Sequence, residues 1–340
     1  MHIAQWLCAV LALCLCGGCR EQGRMGDRGW TAMGTTVHVK APEAQLAEAV
    51  EIAREAIEEV EAELSPFRKD SVVGRLNAGE EAGVSPHVAT VLALADKAWR
   101  ESDGTFDPTV GPLMTLWGFR GTPRETIPTK AEIAVTLADV GWDKIVETDN
   151  YPSLPQSFIL PSGMKLDFGA IAKGYAVDAA YKRLQEAGIL NVLVNAGGEI
   201  RGNREGKPWR IAVRDPCIDG GRLGVLALTD GRATATSGRY ERFVEIDGKR
   251  YAHIIDPRTG WPVTGWEQVT VVADSAAEAD ALSTSLFILG PEKGMMMLQA
   301  YPGAEALFVS DDGKTLIATR GFGREFTAEK KHEGHIVYRD

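Results

Sequence analysis

The spacing of apolar residues along the chain switches between two periods. At 35–40, "TTVHVK", they alternate, which predicts a strand. From Glu43 to Leu64 the apolar positions Leu46, Val50, Ala53, Ile57, Val60 and Leu64 share one face of an amphipathic helix, and Ser65-Pro66 stops it. A second helix opens with Ser85 as N-cap and Pro86 in its first turn and runs to about Trp99. The capping box Thr129-x-x-Glu132 opens a third, which closes at Gly141. Short strands are predicted around 143–148, 157–160 and 164–168, then a helix over 169–187 with Gly188 at its end.

Beyond that point the strands come in a run: "NVLVNAGG", "WRIAVRDP", "LGVLALTDG", "RATATSG", a hairpin turning at Asp247-Gly248, and "QVTVVAD". Helices over 275–289 and 291–300 follow, then a hairpin at Asp311-Asp312-Gly313. Runs of strands without strict β-α alternation predict an α+β fold with largely antiparallel sheets and packed helices. Residues 326–340 are polar and read as a loosely held tail.

The start of the chain reads differently. Residues 1–18 contain no Asp, Glu, Lys or Arg, and their apolar run is short for a membrane span. The run ends on two glycines and Cys19, which resembles a lipoprotein signal peptide with Cys19 as the lipidated residue. No Lys or Arg marks its n-region and Cys16 stands where an aliphatic residue is usual, so an uncleaved anchor and a soluble secreted form stay open. On the lipoprotein reading, residues 19–29 tether the body to a membrane, and Cys217 is the body's single thiol, which excludes an intramolecular disulfide framework. Of 340 residues 44% are hydrophobic and 25% charged, which is ordinary globular composition. The net charge of −10 excludes a broad nucleic-acid-binding surface. A single nucleotide would have to be held by backbone amides or a metal.

The chain contains no P-loop, no dinucleotide fingerprint after a strand, no H-E-x-x-H and no nucleophile elbow. What remains is hard oxygen chemistry. Asp280 and Thr284 lie one helical turn apart, a spacing that suits Mg²⁺ and equally suits a solvated Asp beside a Thr bonded to its own helix. In "MKLDFGAIAKGYAVDAA", Asp167 ends a strand and Lys173 opens a helix; this is either a phosphate site or an ordinary capped connection. Gly197-Gly198 permits close backbone approach, and the stiff loop "SDGTFDPTVGPL" carries Phe106 and Asp107. The stretch "SGRYERFVEIDGKRYAHIIDPRTGWPV" gathers His253, Asp256, Arg258 and Thr259 at a hairpin end, either a reactive cluster or a polar turn.

In order, "MGTTVHV", "SDGTFDPTVGPL", "DFGAIAKGYAVD", "NAGGEIRG", "HIIDPRTG" and "ADALSTSLFILG" resemble the bacterial FAD:protein FMN transferases, the ApbE-type flavin transferases once described as thiamine-biosynthesis lipoproteins. The resemblance spans 30–325 and implies a T-fold-like core in two intimate lobes with an FAD site between them. It also implies a lipoprotein facing the periplasm that needs Mg²⁺ and moves FMN from FAD to a Thr or Ser hydroxyl of a target flavoprotein, releasing AMP. Met33, Phe67, Phe106, Asp107, Pro108, Asp167, Lys173 and Ile254 would then face FAD, and the Ala170 carbonyl, Asp280 and Thr284 would hold the metal. His253 would act as general base, with Asp256 orienting it or serving as a second acceptor for the loop, and Arg258 either pairing with phosphate or holding the turn. Phe67 replaces a usual Tyr, and Arg239 stands where Asp is common. Two rivals accompany this reading: a Mg²⁺-dependent FAD pyrophosphatase, and a lipid-anchored flavin carrier without turnover. Acceptor and oligomeric state are not legible in the sequence.

Overall fold

The computed structural model describes residues 24–145, 157–332 and 335–339. The leader expected at 1–18, Cys19 and the first residues of the tether lie outside them. Among the described residues no helix is long and apolar enough to cross a membrane.

A nine-stranded sheet forms the centre. In spatial order its strands are Met25–Ala32, Thr35–Pro42, Val192–Ala196, Glu199–Asn203, Ala233–Gly238, Trp266–Ala273, Glu305–Ser310, Leu316–Thr319 and Ile336–Arg339. Each neighbouring pair is antiparallel except the last, which is parallel. Alternation along the strands gives the sheet two apolar faces. Val192, Val194 and Ala196 pack under helices Leu46–Leu64, Pro86–Glu101 and Ala172–Glu186. Val271, Ala306 and Phe308 pack under helix Ala276–Leu298, which Gly290-Pro291 kinks. The alternate residues Leu193, Val272, Leu307 and Val309 meet a three-stranded sheet on the opposite face, Phe326–Ala328, Arg222–Leu228 and Trp209–Arg214. A separate apolar cluster joins Leu113, Trp117 and Ile133 to Ile246, Tyr251 and Ile255. It makes a small second lobe, tied by the Trp117 indole N–H donating to the Gly260 carbonyl at 2.8 Å.

The helices begin where their caps predict. Ser85 accepts from the Val88 amide, and the Thr129–Glu132 capping box is complete. Four expectations need correction. Half of the tether, from Met25, is strand, because a two-residue turn at Met33-Gly34 (φ 51° and 70°) folds it back onto Thr35–Pro42. At 164–168 the chain forms no strand and holds a single bridge, Val110 with Lys165. In place of the strand expected at 143–148, Trp142–Lys144 is a 3-10 turn; 146–148 lie outside the described residues. The tail is tied down twice: Phe326–Ala328 pairs with Arg222–Leu228, and Ile336–Arg339 pairs with Leu316–Thr319. Between them His332 is buried against Asp215 at 3.2 Å.

Candidate active site

A cavity of 760 Å³ opens between the sheet, the helix starts and the small lobe, and segments far apart in sequence wall it. That volume accommodates a large organic ligand. Met33 reaches it from the first hairpin turn, and Phe106 and Pro108 from the stiff loop. Asp107 lies there too, but its carboxylate accepts from the Thr109 amide and hydroxyl (2.8 and 2.6 Å) and from the Trp142 amide at 3.0 Å. It therefore fixes the loop, and burial raises its pKa. Phe67 stands at the rim, 67% exposed, under the Arg120 guanidinium at 4.7 Å.

The floor is charged. Asp167 is held by Arg120 (2.8 Å) and by the Gly169 amide (2.8 Å), so its carboxylate orders the turn into the next helix. In the first turn of that helix the Lys173 ammonium meets Glu199 at 2.9 Å, the Gly169 carbonyl at 3.1 Å and Asp280 at 3.5 Å. Burial opposes its charge, but the Asp280 and Glu199 carboxylates raise its pKa well beyond the usual lysine range. Burial and nearby Asp280 push Glu199 up to about 7, against the pull of Lys173. One Glu199 oxygen, Oε2, is buried without a hydrogen-bond partner.

Asp280 and Thr284 share a helix face as their spacing predicts. Asp280 is buried and accepts from the Gly174 amide at 3.0 Å. That bond requires a glycine: a Cβ on residue 174 would lie 2.2 Å from the Ala276 carbonyl oxygen. The Thr284 hydroxyl meets Ser237 at 3.2 Å, and with Ala170 it lines the same cavity. Among the described residues no cluster of three or more His, Cys, Asp or Glu is arranged to hold a metal. The donors available are a carboxylate, a hydroxyl, backbone carbonyls and an orphaned carboxylate oxygen. Such a set fits a cation that takes few protein ligands and completes its shell with water and phosphate oxygens.

His253 and Ile254 line the wall beside the small lobe, Ile254 from the core under helix Ala276–Leu298. The His253 Nδ1 lies 3.2 Å from the Arg242 carbonyl, which can only accept, so Nδ1 carries the proton and Nε2 is left as a base. Burial, helped by Lys173, Arg242 and Arg120 and opposed by that hydrogen bond, lowers its pKa to about 4, so the ring is neutral at pH 7. Asp256 does not orient it. Its carboxylate is taken up by Arg258, at 3.0 and 2.9 Å and through the backbone amide at 3.0 Å, and it stays outside the cavity wall. Asp256 and Arg258 hold the turn, and the Arg242 carbonyl orients the imidazole in their place. Arg239 pairs with Glu267 at 3.8 Å. Sequence reading missed Arg120, Glu199 and the Arg242 carbonyl. Glu199 had a signal, an acidic residue entering an apolar strand after two glycines; the other two are set by folding alone.

A model of the ApbE family matches residues 33–308. The FAD:protein FMN transferase of Vibrio cholerae is 35% identical over 332 residues, which cover 93% of this chain and 97% of that protein. The one from Haemophilus influenzae is 34% identical over 341 residues, covering 96% and 98%. Among solved structures, the flavin transferase ApbE of Vibrio cholerae superposes with a TM-score of 0.77 at 33% identity, over 89% of this chain and 99% of that one. The Pseudomonas stutzeri flavinyl transferase ApbE superposes with a TM-score of 0.76 at 31% identity, over 91% and 98%.

Proposed function

The chain belongs to the ApbE family, and from that premise we propose that it transfers FMN from FAD to a Thr or Ser hydroxyl of a protein acceptor, with release of AMP. The observation that carries this is the convergence of Lys173, His253 and the Asp280–Thr284 turn, three segments far apart in sequence, on one cavity of dinucleotide scale. A carrier would need the cavity but no neutral imidazole facing a buried charged floor.

The residues divide the work by their chemistry. Met33, Phe106 and Pro108 offer apolar surface to a flat ring, Phe67 offers a face at the rim, and Ile254 closes the wall. Lys173, fixed between two carboxylates, presents a point charge to the pyrophosphate. The acceptor oxygen bonds to the FMN-side phosphorus as the bond to the bridging oxygen breaks, and AMP leaves with that electron pair. The hydroxyl proton passes to His253 Nε2, the ring nitrogen left free by the Arg242 carbonyl. Ala170, Asp280 and Thr284 would hold Mg²⁺, which supplies charge neutralisation at the pyrophosphate when bound. If water enters where the acceptor belongs, the same groups hydrolyse FAD to FMN and AMP.

Purified protein mixed with FAD, Mg²⁺ and an intact acceptor domain separates the readings. In-gel covalent flavin fluorescence is expected; free FMN without covalent label would replace transferase with pyrophosphatase. We also propose that Cys19 anchors the protein to a membrane at its periplasmic face, on the strength of the apolar run and glycine pair before it. Cys19→Ser is expected to move the protein to the soluble fraction, and membrane retention of that variant would point to an uncleaved segment.

A further inference from the structure

The strand Trp209–Arg214 is the outer strand of the three-stranded sheet. Arg222–Leu228 pairs with one of its edges, and among the described residues no strand pairs with the other. Its consecutive residues Ile211, Ala212, Val213 and Arg214 line the same cavity as His253 and Asp280. Consecutive rather than alternate lining residues mean that the strand presents its edge, with backbone N–H and C=O groups, as well as one face. An open edge beside a reaction cavity is a feature that folds otherwise blunt or cover.

We propose that this edge receives the acceptor as an added strand, so that the substrate is recognised as an extended polypeptide segment with its hydroxyl presented toward His253. The proposal rests on the transferase reading and names how its second substrate is held. Backbone pairing explains why the edge matches a polypeptide: the ladder repeats along the strand, and a dinucleotide has no repeat to meet it. The side chains add a charge preference. Arg210, Ala212 and Arg214 are exposed on one face, two guanidinium groups about a small residue, while Trp209 and Val213 are buried on the other. Arg214 is steadied over the Tyr240 ring at 4.6 Å, and the Tyr240 hydroxyl donates to Gln268 at 3.0 Å. On a chain of net charge −10, an acidic segment is repelled by most of the surface and drawn to this strand. Trp209–Arg214 is six residues long, which sets the length of the segment an added strand can meet.

The test uses the full chain, FAD, Mg²⁺ and a mixed-sequence library of short peptides, each with one central threonine. Peptides gaining the mass of FMN are expected to carry Asp or Glu on the side of the strand that faces Arg210 and Arg214. N-methylation scanned along such a peptide is expected to lower kcat/KM by about tenfold at alternate positions and little between them, since only every second amide points at the partner strand. Arg210→Glu is expected to shift selection from acidic toward basic peptides. Modified peptides that show no alternation on N-methylation overturn the proposal. So does a chain that labels an intact acceptor domain but no peptide, and in that outcome the transferase reading survives. A chain that labels neither, yet releases FMN, removes the transferase reading itself.

Discussion

Single side chains decide the chemistry of this cavity through what occupies their other contacts. His253 is usable as a base because the Arg242 carbonyl takes the Nδ1 proton and burial keeps the ring neutral. His253→Ala is expected to lower turnover by about 10²–10⁴ with FAD affinity retained; lost affinity with unchanged saturating turnover would make it a binding residue. The sign of its pH effect follows from its lowered pKa, about 4 against an ordinary 6.5. The neutral ring contributes stability in full above pH 6.5, and that contribution is lost as pH falls through about 4. Urea titrations between these limits should therefore show a shallower pH slope for His253→Ala than for the parent. Asp280→Asn should nearly abolish Mg²⁺-dependent AMP release while thermal unfolding stays cooperative, and Thr284→Ala should cost less because the hydroxyl carries no charge. An Asp280→Asn protein with most of its Mg²⁺-dependent rate would remove Asp280 from the metal site.

At the scale of elements, the site depends on how closely two helix starts approach. The first turn of Ala172–Glu186 lies on the first turns of Ala276–Leu298, with Gly174 at the contact. In an isolated helix Gly→Ala is stabilising by about 1 kcal/mol. Here the added methyl meets backbone atoms at 2.2 and 2.5 Å, so Gly174→Ala is expected to destabilise by about 1–3 kcal/mol and to separate Lys173 from Asp280. Loss of activity without a fall in unfolding midpoint would contradict that account. The same elements show what was readable in advance. Helix faces and caps were legible because their information is local: Ser85, Thr129 and Gly188 each act within a turn of themselves. The strands at 25–29 and 336–339 were not: the first is rich in glycine and charge, the second is four residues inside a polar stretch, and both become strand through partners elsewhere in the chain. Motif order brought His253, Lys173, Asp280 and Thr284 to one site, whereas the pairing of Asp256 with Arg258 depends on local turn geometry that spacing leaves open.

At the scale of the molecule, the nine-stranded and the three-stranded sheets are each finished by one of the last described strands. Phe326–Ala328 completes the three-stranded sheet, and Ile336–Arg339 covers Leu316–Thr319 in parallel. This arrangement has a consequence for synthesis. A polypeptide emerges from the ribosome amino end first, so two edges stay bare until the closing strands clear the exit tunnel. Stalled nascent chains ending at 320 should remain protease-sensitive, whereas chains extended past 339 by a linker should become resistant; early resistance would show that closure is dispensable. Until those two strands have emerged, everything made before them stays open to digestion and to pairing with other chains.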